Sequence, residues 1–445
     1  MINQLKLNQL EEGDTYKYLG MDENISYNGK LNKERITTEY FSRIKKIWKS
    51  KLSAFNKSIA HNMFAVPILT PTFGILNWTI EVFKNIDINT RLILCMQRSF
   101  HINSDTDCLY IPRSDGGRGL KSIQTAFECR IISLSHHLNR NKNRNYIMNF
   151  INIAEEIESK RVAAELRNKF NIAINEEEHP SKIGRMYAKA KNKDRYETYK
   201  NKVMHGFMSR KIESDNNIDQ GTSKSWTRNK FMTSEFESYA FAIKDQELPT
   251  KYLKCKRNKD PTVSNTNCRL CKNAVEDITH ITSSCPLMSV RYYLPIRHDV
   301  IAKTVYNALI CKENPLFKKR DFDIPEYICT EGNCEYWWNV SVETATKIKH
   351  NKPDLIVWNR HTKICYIIEF SCPADINVSK KVEEKITTYG PLVRNLQIMY
   401  QEYKFKMLPI IVGALGTIPK STKISLKELN FSTKETYTLV RKLQV

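Results

Sequence analysis

Lys352-Pro353-Asp354-Leu355-Ile356-Val357-Trp358 runs into a polar break, residues 359–363, and then into Ile364-Cys365-Tyr366-Ile367-Ile368-Glu369-Phe370. Two apolar runs about a short polar break read as a β-hairpin. If the turn centres between His361 and Thr362, Asp354 falls opposite Glu369, because paired positions of a hairpin share one index sum. Cross-strand neighbours have Cβ atoms roughly 4.5–5.5 Å apart. Two carboxylates held that close repel unless a cation lies between them. Oxygen-only ligands suit Mg2+ or Mn2+. Such an ion activates water and stabilises a pentavalent phosphorus. The competing reading is a surface hairpin with two solvated acids, the commoner state of Asp and Glu.

A lysine would complete a hydrolytic site by neutralising charge and helping to deprotonate the water. The position two after Glu369 is Ser371, so that strand does not supply it. The segment that follows reads as a helix and offers Lys380, Lys381 and Lys385, then Tyr389. Lys381, Lys385 and Tyr389 recur every four residues, on one helical face. The choice between Lys385 and Lys381 stays open. A helix expected over residues 340–349 carries Glu343, a candidate third acid whose plainer role is to face solvent. Leu408 to Val412 and the turn Gly413-Ala414-Leu415-Gly416 close the region.

Upstream, Cys268, Cys271, His280 and Cys285 give the spacing C-x2-C-x8-H-x4-C. Two thiolates two residues apart suit a tight turn offering both sulfurs to one ion. An imidazole and a third thiolate then close a tetrahedron, the pattern of structural Zn2+. A site with no open position carries folding energy rather than chemistry. The polar stretch before it, residues 256–267, has too little apolar mass for a core of its own. A C-x-x-C redox pair is the alternative, disfavoured by the lack of a thioredoxin-like βαβ context. The other cysteines, such as Cys95, Cys108, Cys129, Cys311 and Cys365, sit among apolar neighbours and read as core.

The N-terminal part is expected to be mostly helical. A short strand at Tyr16-Lys17-Tyr18-Leu19 is closed by Gly20. Ile36, Tyr40, Ile44, Ile47, Phe55 and Ile59 recur at helical spacing. Further helices are expected over residues 67–78 and from about Asn89 to Phe100. Residues 110–120, with three glycines and a proline, must be a loop. From Lys121 to Lys244 the pattern is helical, with polar breaks near 175–180 and 214–224. The basic stretch Lys182 to Lys211 interleaves Tyr187, Tyr196, Tyr199 and Phe207. It reads as a base-stacking helix or as a solvated face whose tyrosines turn inward.

The 445 residues exceed one ordinary core, so several domains are expected. Lys and Arg outnumber Asp and Glu by 70 to 48, a net +22 that favours a polyanionic partner. Phosphate contacts would make such binding fall steeply with salt. No long apolar run is present, so no membrane span is expected. Residues 1–14 lack the apolar core of a secretory signal.

Taken together these residues resemble the C-terminal part of site-specific non-LTR retrotransposon proteins. The matches are Cys268, Cys271, His280 and Cys285, then Arg297-His298-Asp299, then Pro353-Asp354, Glu369, Lys385 and Tyr389. Tyr16 to Gly20 and Pro112 to Leu120 look like the end of a reverse-transcriptase palm and its thumb. The resemblance implies an α+β chain in four parts. Residues 1–150 would end the palm and form the thumb, 151–245 a basic helical linker, 246–300 a CCHC zinc knuckle. Residues 301–445 would form a restriction-enzyme-like PD-(D/E)xK endonuclease with a mixed sheet and its lysine displaced onto a helix. Asp354 and Glu369 would hold Mg2+ or Mn2+; Arg269, Lys272, Arg297 and His298 would contact nucleic acid. A DNA target and an element RNA are the implied partners, and the nucleus the site of action. The family's Tyr-x-Asp-Asp-like motif is absent, so no polymerisation is expected from this chain alone. The rival readings are a non-catalytic nucleic-acid-binding remnant or recruited host protein, and a purely structural zinc protein.

Overall fold

The computed structural model describes residues 16–18, 21–23, 29–141, 158–172, 177–314, 325 and 327–444. Residues 1–14, the strand end at Leu19–Gly20 and the start of the break at Asn175 lie outside the described residues. The chain is α+β: a helical N-terminal part, a small cysteine-rich module, and one mixed five-stranded sheet. Among the described residues no helix is long and apolar enough to cross a membrane.

Strands β1 (Tyr16–Tyr18) and β2 (Met21–Glu23) pair antiparallel. The periodic stretch from Ile36 to Ile59 forms two helices, Gly29–Lys49 and Ala54–Ala60. The break comes at Ser53, whose side chain caps the second helix by accepting from the Asn56 N–H. Ile36, Tyr40, Ile44 and Trp48 are buried every fourth residue. The helix expected over 67–78 shrinks to Val66–Leu69 and a tight turn Thr70–Gly74. Pro71 has no N–H to give and its ring crowds the carbonyl four residues back. The next helix, Ile80–Met96, starts well before Asn89 and stops short of Phe100.

Residues 110–120 carry only a short turn at Arg113–Asp115. Gly116 and Gly119 have φ of +85° and +69°, and a Cβ on Gly117 would lie 2.2 Å from the Ile111 carbonyl oxygen. The loop is locked by Arg113 and Arg118, both paired with Glu237 of the helix Ser234–Lys244. Farther on, the basic helix Pro180–Asn201 buries Tyr187 and Tyr199. Tyr196 donates to Glu213. These tyrosines belong to the core, so the basic helix is not a stacking platform built on them.

In the C-terminal part the strands are β3 (Ile328–Glu331), β4 (Cys334–Trp338), β5 (Leu355–Asn359), β6 (Ile364–Ser371) and β7 (Lys404–Ile411). They lie side by side in that order, antiparallel except for the parallel pair β6–β7. The helix Val378–Met399 makes the crossover that a parallel pair requires. Leu355 pairs with Ile368 and Asn359 with Ile364, the register expected of a turn centred on His361 and Thr362. Both faces of the sheet are covered. Leu355, Val357, Tyr366, Ile368 and Phe370 pack toward the helices Asp299–Glu313 and Thr433–Leu443. Ile356, Trp358, Cys365 and Ile367 pack on Tyr389, Leu392 and Leu396 of the helix Val378–Met399. Residues 340–349 are not the expected helix. Their backbone is spent elsewhere: Asn395 Oδ1 accepts from the Ala345 N–H and the Val342 N–H donates to the Asn351 carbonyl. Glu343 is exposed there and joins no site.

Candidate active site and metal centre

Strand alternation places the two acids. Side chains two apart share a face, so Asp354 falls on the side of Ile356 and Trp358, and Glu369 on the side of Cys365 and Ile367. That is the side covered by the helix Val378–Met399. At the open end of β5 and β6 the two residues meet: the Asp354 N–H donates to Glu369 Oε1 at 2.9 Å. The Phe370 N–H donates to Asp354 Oδ2 at 2.9 Å.

The lysine follows from helical spacing. Val378, Val382, Lys385, Tyr389, Leu392 and Leu396 recur at intervals of four and three, a stripe facing the sheet. Lys385 is the one charged residue in that stripe, and its Nζ donates to Glu369 Oε2 at 2.6 Å. Lys381 lies on the neighbouring face and pairs with Glu384 at 2.6 Å. The spacing of the apolar residues after Lys385 is a signal that separates the two lysines from sequence. Tyr389 stands one turn on, with Lys385 Nζ 5.8 Å from its ring centre. Its hydroxyl donates to the Lys352 carbonyl at 3.3 Å and so braces the segment that leads into Asp354 and β5.

The two carboxylates sit in unequal surroundings. Asp354 borders a cavity of about 550 Å³, whose wall also includes His298, Lys380, Lys381 and Lys385. Glu369 is fully buried one layer behind it. Burial, and then the nearby charge of Asp354, push the Glu369 carboxyl up to about 7 despite Lys385. Burial acts on Asp354 in the same direction, but the hydrogen bond and charge of His298 outweigh it and hold Asp354 below its usual value. His298 Nε2 lies 3.1 Å from Asp354 Oδ2, and its Nδ1 lies 3.0 Å from Asp299. Burial opposes the imidazolium, yet these two acids raise His298 to about 8. The resemblance implies a nucleic-acid contact for His298, whose imidazole here meets Asp354. Its contact with Asp354 spans 56 positions of chain, and no local pattern encodes it.

The four residues of the C-x2-C-x8-H-x4-C spacing converge. Their ligand atoms all lie within 4.8 Å of one another, with Cys268, His280 and Cys285 buried. Cys271 Sγ is 3.3 Å from His280 Nε2. This Cys3His cluster could hold a metal such as zinc. The turn between the first two cysteines is closed by the Lys272 N–H donating to the Cys268 carbonyl, with Lys272 at a φ of +62°. Buried Glu276 ties the module down: it accepts from the Lys251 and Arg269 backbone N–H groups and from the Arg269 guanidinium. Arg269 is therefore a strut of the module, while Lys272 stands exposed. Arg297 donates to the Thr282 carbonyl and lies 5.1 Å from the Tyr293 ring centre.

Metal removal is expected to separate the module from the rest. None of the six tryptophans falls within residues 246–300. A chelator strong enough to take zinc from three thiolates should open residues 256–285 to protease while tryptophan emission stays constant. Unchanged protease resistance after complete metal loss would show that the cluster folds without an ion.

Compared with models of known protein families and with curated proteins, the chain matches none.

Proposed function

We propose that the chain is a metal-dependent DNA endonuclease, the C-terminal part of a non-LTR retrotransposon polyprotein. The observation that carries this reading is the meeting of Asp354, Glu369 and Lys385 at the end of one hairpin, drawn from two strands and the crossover helix. Asp354 and Glu369 would hold Mg2+ or Mn2+, and the carboxylate pair fits a dication. Burial and then the neighbouring charge of Asp354 raise the Glu369 pKa, and a dication between the two acids would relieve that repulsion. A divalent ion bound there supplies a water of lowered pKa and stabilises charge at phosphorus. Lys385 neutralises Glu369 and stands where charge gathers on the scissile phosphate. Tyr389 holds the segment that leads into Asp354. Lys380 and Lys381 border the cavity and can meet the phosphates on either side.

On this reading the C-terminal part is restriction-enzyme-like, and the Cys3His module is a zinc knuckle beside its opening. A nick in target DNA would expose a 3′-hydroxyl for reverse transcription by a polymerase, primed in the nucleus on an element RNA. The +22 charge supports a nucleic-acid partner. A second reading, a non-catalytic nucleic-acid-binding remnant, is favoured by one observation: Glu369 lies behind the cavity wall with both oxygens already hydrogen-bonded.

Supercoiled plasmid separates the two. The chain is expected to convert it to nicked circles with Mg2+ or Mn2+ and to stop when the ion is chelated. Plasmid that is bound but left intact with either ion would favour the second reading.

A further inference from the structure

Residues Ser289–His298 join the cysteine-rich module to the helix Asp299–Glu313 as one π-helical segment. The segment has almost no core of its own. Val290, Leu294 and Ile296 are 74%, 51% and 55% exposed, and Tyr293 is its one buried residue. Apart from its continuity with the helix Asp299–Glu313, the contacts that hold it are a few polar anchors.

At the module end, the Tyr293 hydroxyl donates to the Ile281 carbonyl, and Arg297 donates to the Thr282 carbonyl. Ile281 and Thr282 directly follow His280, one of the four residues of the Cys3His cluster. At the other end, His298 reaches Asp354 Oδ2 at 3.1 Å, its ring edge-on to Phe370 at 6.4 Å. One short path thus runs from the cluster through two backbone carbonyls, Tyr293 and Arg297, to the carboxylate on the cavity wall.

We infer that the Cys3His cluster positions the carboxylate site: it fixes residues 281 and 282, these hold Tyr293 and Arg297, and His298 is thereby kept against Asp354. His298 is a positioning residue, and the cluster is a structural part of the ion site rather than a separate appendage. This rests on the reading of Asp354 and Glu369 as a divalent-ion site. A carboxylate ligand is held in its binding orientation by the groups that hydrogen-bond to it. Removing such an outer partner weakens metal binding by about 10–100-fold in well-characterised sites.

The test is Mn2+ binding to the full chain without nucleic acid, followed by electron paramagnetic resonance at pH 8.5, with zinc content measured on every sample. Arg297→Met keeps the cysteines and the stem of the side chain but loses the carbonyl anchor. It should retain the parent's zinc and bind Mn2+ about 10-fold more weakly. His298→Ala should weaken Mn2+ similarly, and His298→Asn, which keeps an N–H donor, should recover most of the loss. Cys271→Ala, which loses zinc, should weaken Mn2+ as well. If Asp354→Ala abolishes Mn2+ binding while Arg297→Met and His298→Ala bind as tightly as the parent, the coupling is wrong and the ion site stands. If Asp354→Ala binds Mn2+ like the parent, the ion is not held there, and both the site and its coupling fall.

Discussion

Asp354→Ala is expected to slow Mg2+-dependent nicking at least about 100-fold, a barrier increase of about 2.7 kcal/mol, while plasmid binding persists. On the proposed reading the two effects separate because the charges that would draw in a polyanion are spread along the chain, whereas the ion would be held by Asp354 and Glu369. Folding needs a control. Asp354 Oδ2 accepts from the Phe370 N–H, and removing an acceptor from a covered donor costs about 1–3 kcal/mol. Asp354→Asn keeps an oxygen in that place but removes the negative charge. It should melt close to the parent and still fail to nick. Nicking by Asp354→Asn at the parental rate would show that the site is misassigned. Loss of nicking only in the alanine variant would point to disrupted folding instead.

The second large effect concerns stability. Glu237→Ala should destabilise the N-terminal part by about 3–5 kcal/mol, the usual result of removing one partner from a buried ion pair. Glu237 binds Arg118 at 2.7 Å and Arg113 at 2.6 Å. Arg118 is completely buried, its guanidinium 5.7 Å from the Phe241 ring centre. Without the carboxylate, two guanidinium groups would be left in a covered space with one acceptor fewer each. The loop of residues 110–120 would lose its lock to the helix Ser234–Lys244. Urea denaturation checks this. Trp226 lies against Phe241 at 5.3 Å, so its emission should report the unfolding of this region. A midpoint unchanged from the parent would mean that water or a neighbouring acid replaces Glu237 without cost. Because the Glu237 cluster and the carboxylate site share no residue, nicking per folded molecule should be unaffected.

Much of the C-terminal site was legible in the residues themselves. The apolar runs on either side of 359–363 determined a hairpin and its register, because strand alternation leaves few ways to bury Ile356, Val357, Ile367 and Ile368 together. The same alternation put Asp354 and Glu369 on one side. Helical spacing put a lysine on the face toward them but left Lys381 and Lys385 open; in the fold the stripe that buries Val378 and Leu396 carries Lys385, while Lys381 pairs with Glu384. Compact spacing likewise brought Cys268, Cys271, His280 and Cys285 together. These are local periodicities, and a chain must obey them to bury its apolar side chains.

Only the tertiary structure decided the rest. The stretch expected to be helical over 340–349 is irregular chain, tied through the Ala345 N–H and the Thr346 hydroxyl to Asn395 on a distant helix. The tyrosines of the basic helix turned inward because neighbouring helices offered them a core. His298 met Asp354, and Arg118 met Glu237, across 56 and 119 positions of sequence. Such pairings depend on how packed elements happen to be juxtaposed, and no repeat or spacing announces them. The depth of Glu369 is of the same kind: its place on the strand follows from the sequence, but its burial behind Asp354 depends on the helix that covers it.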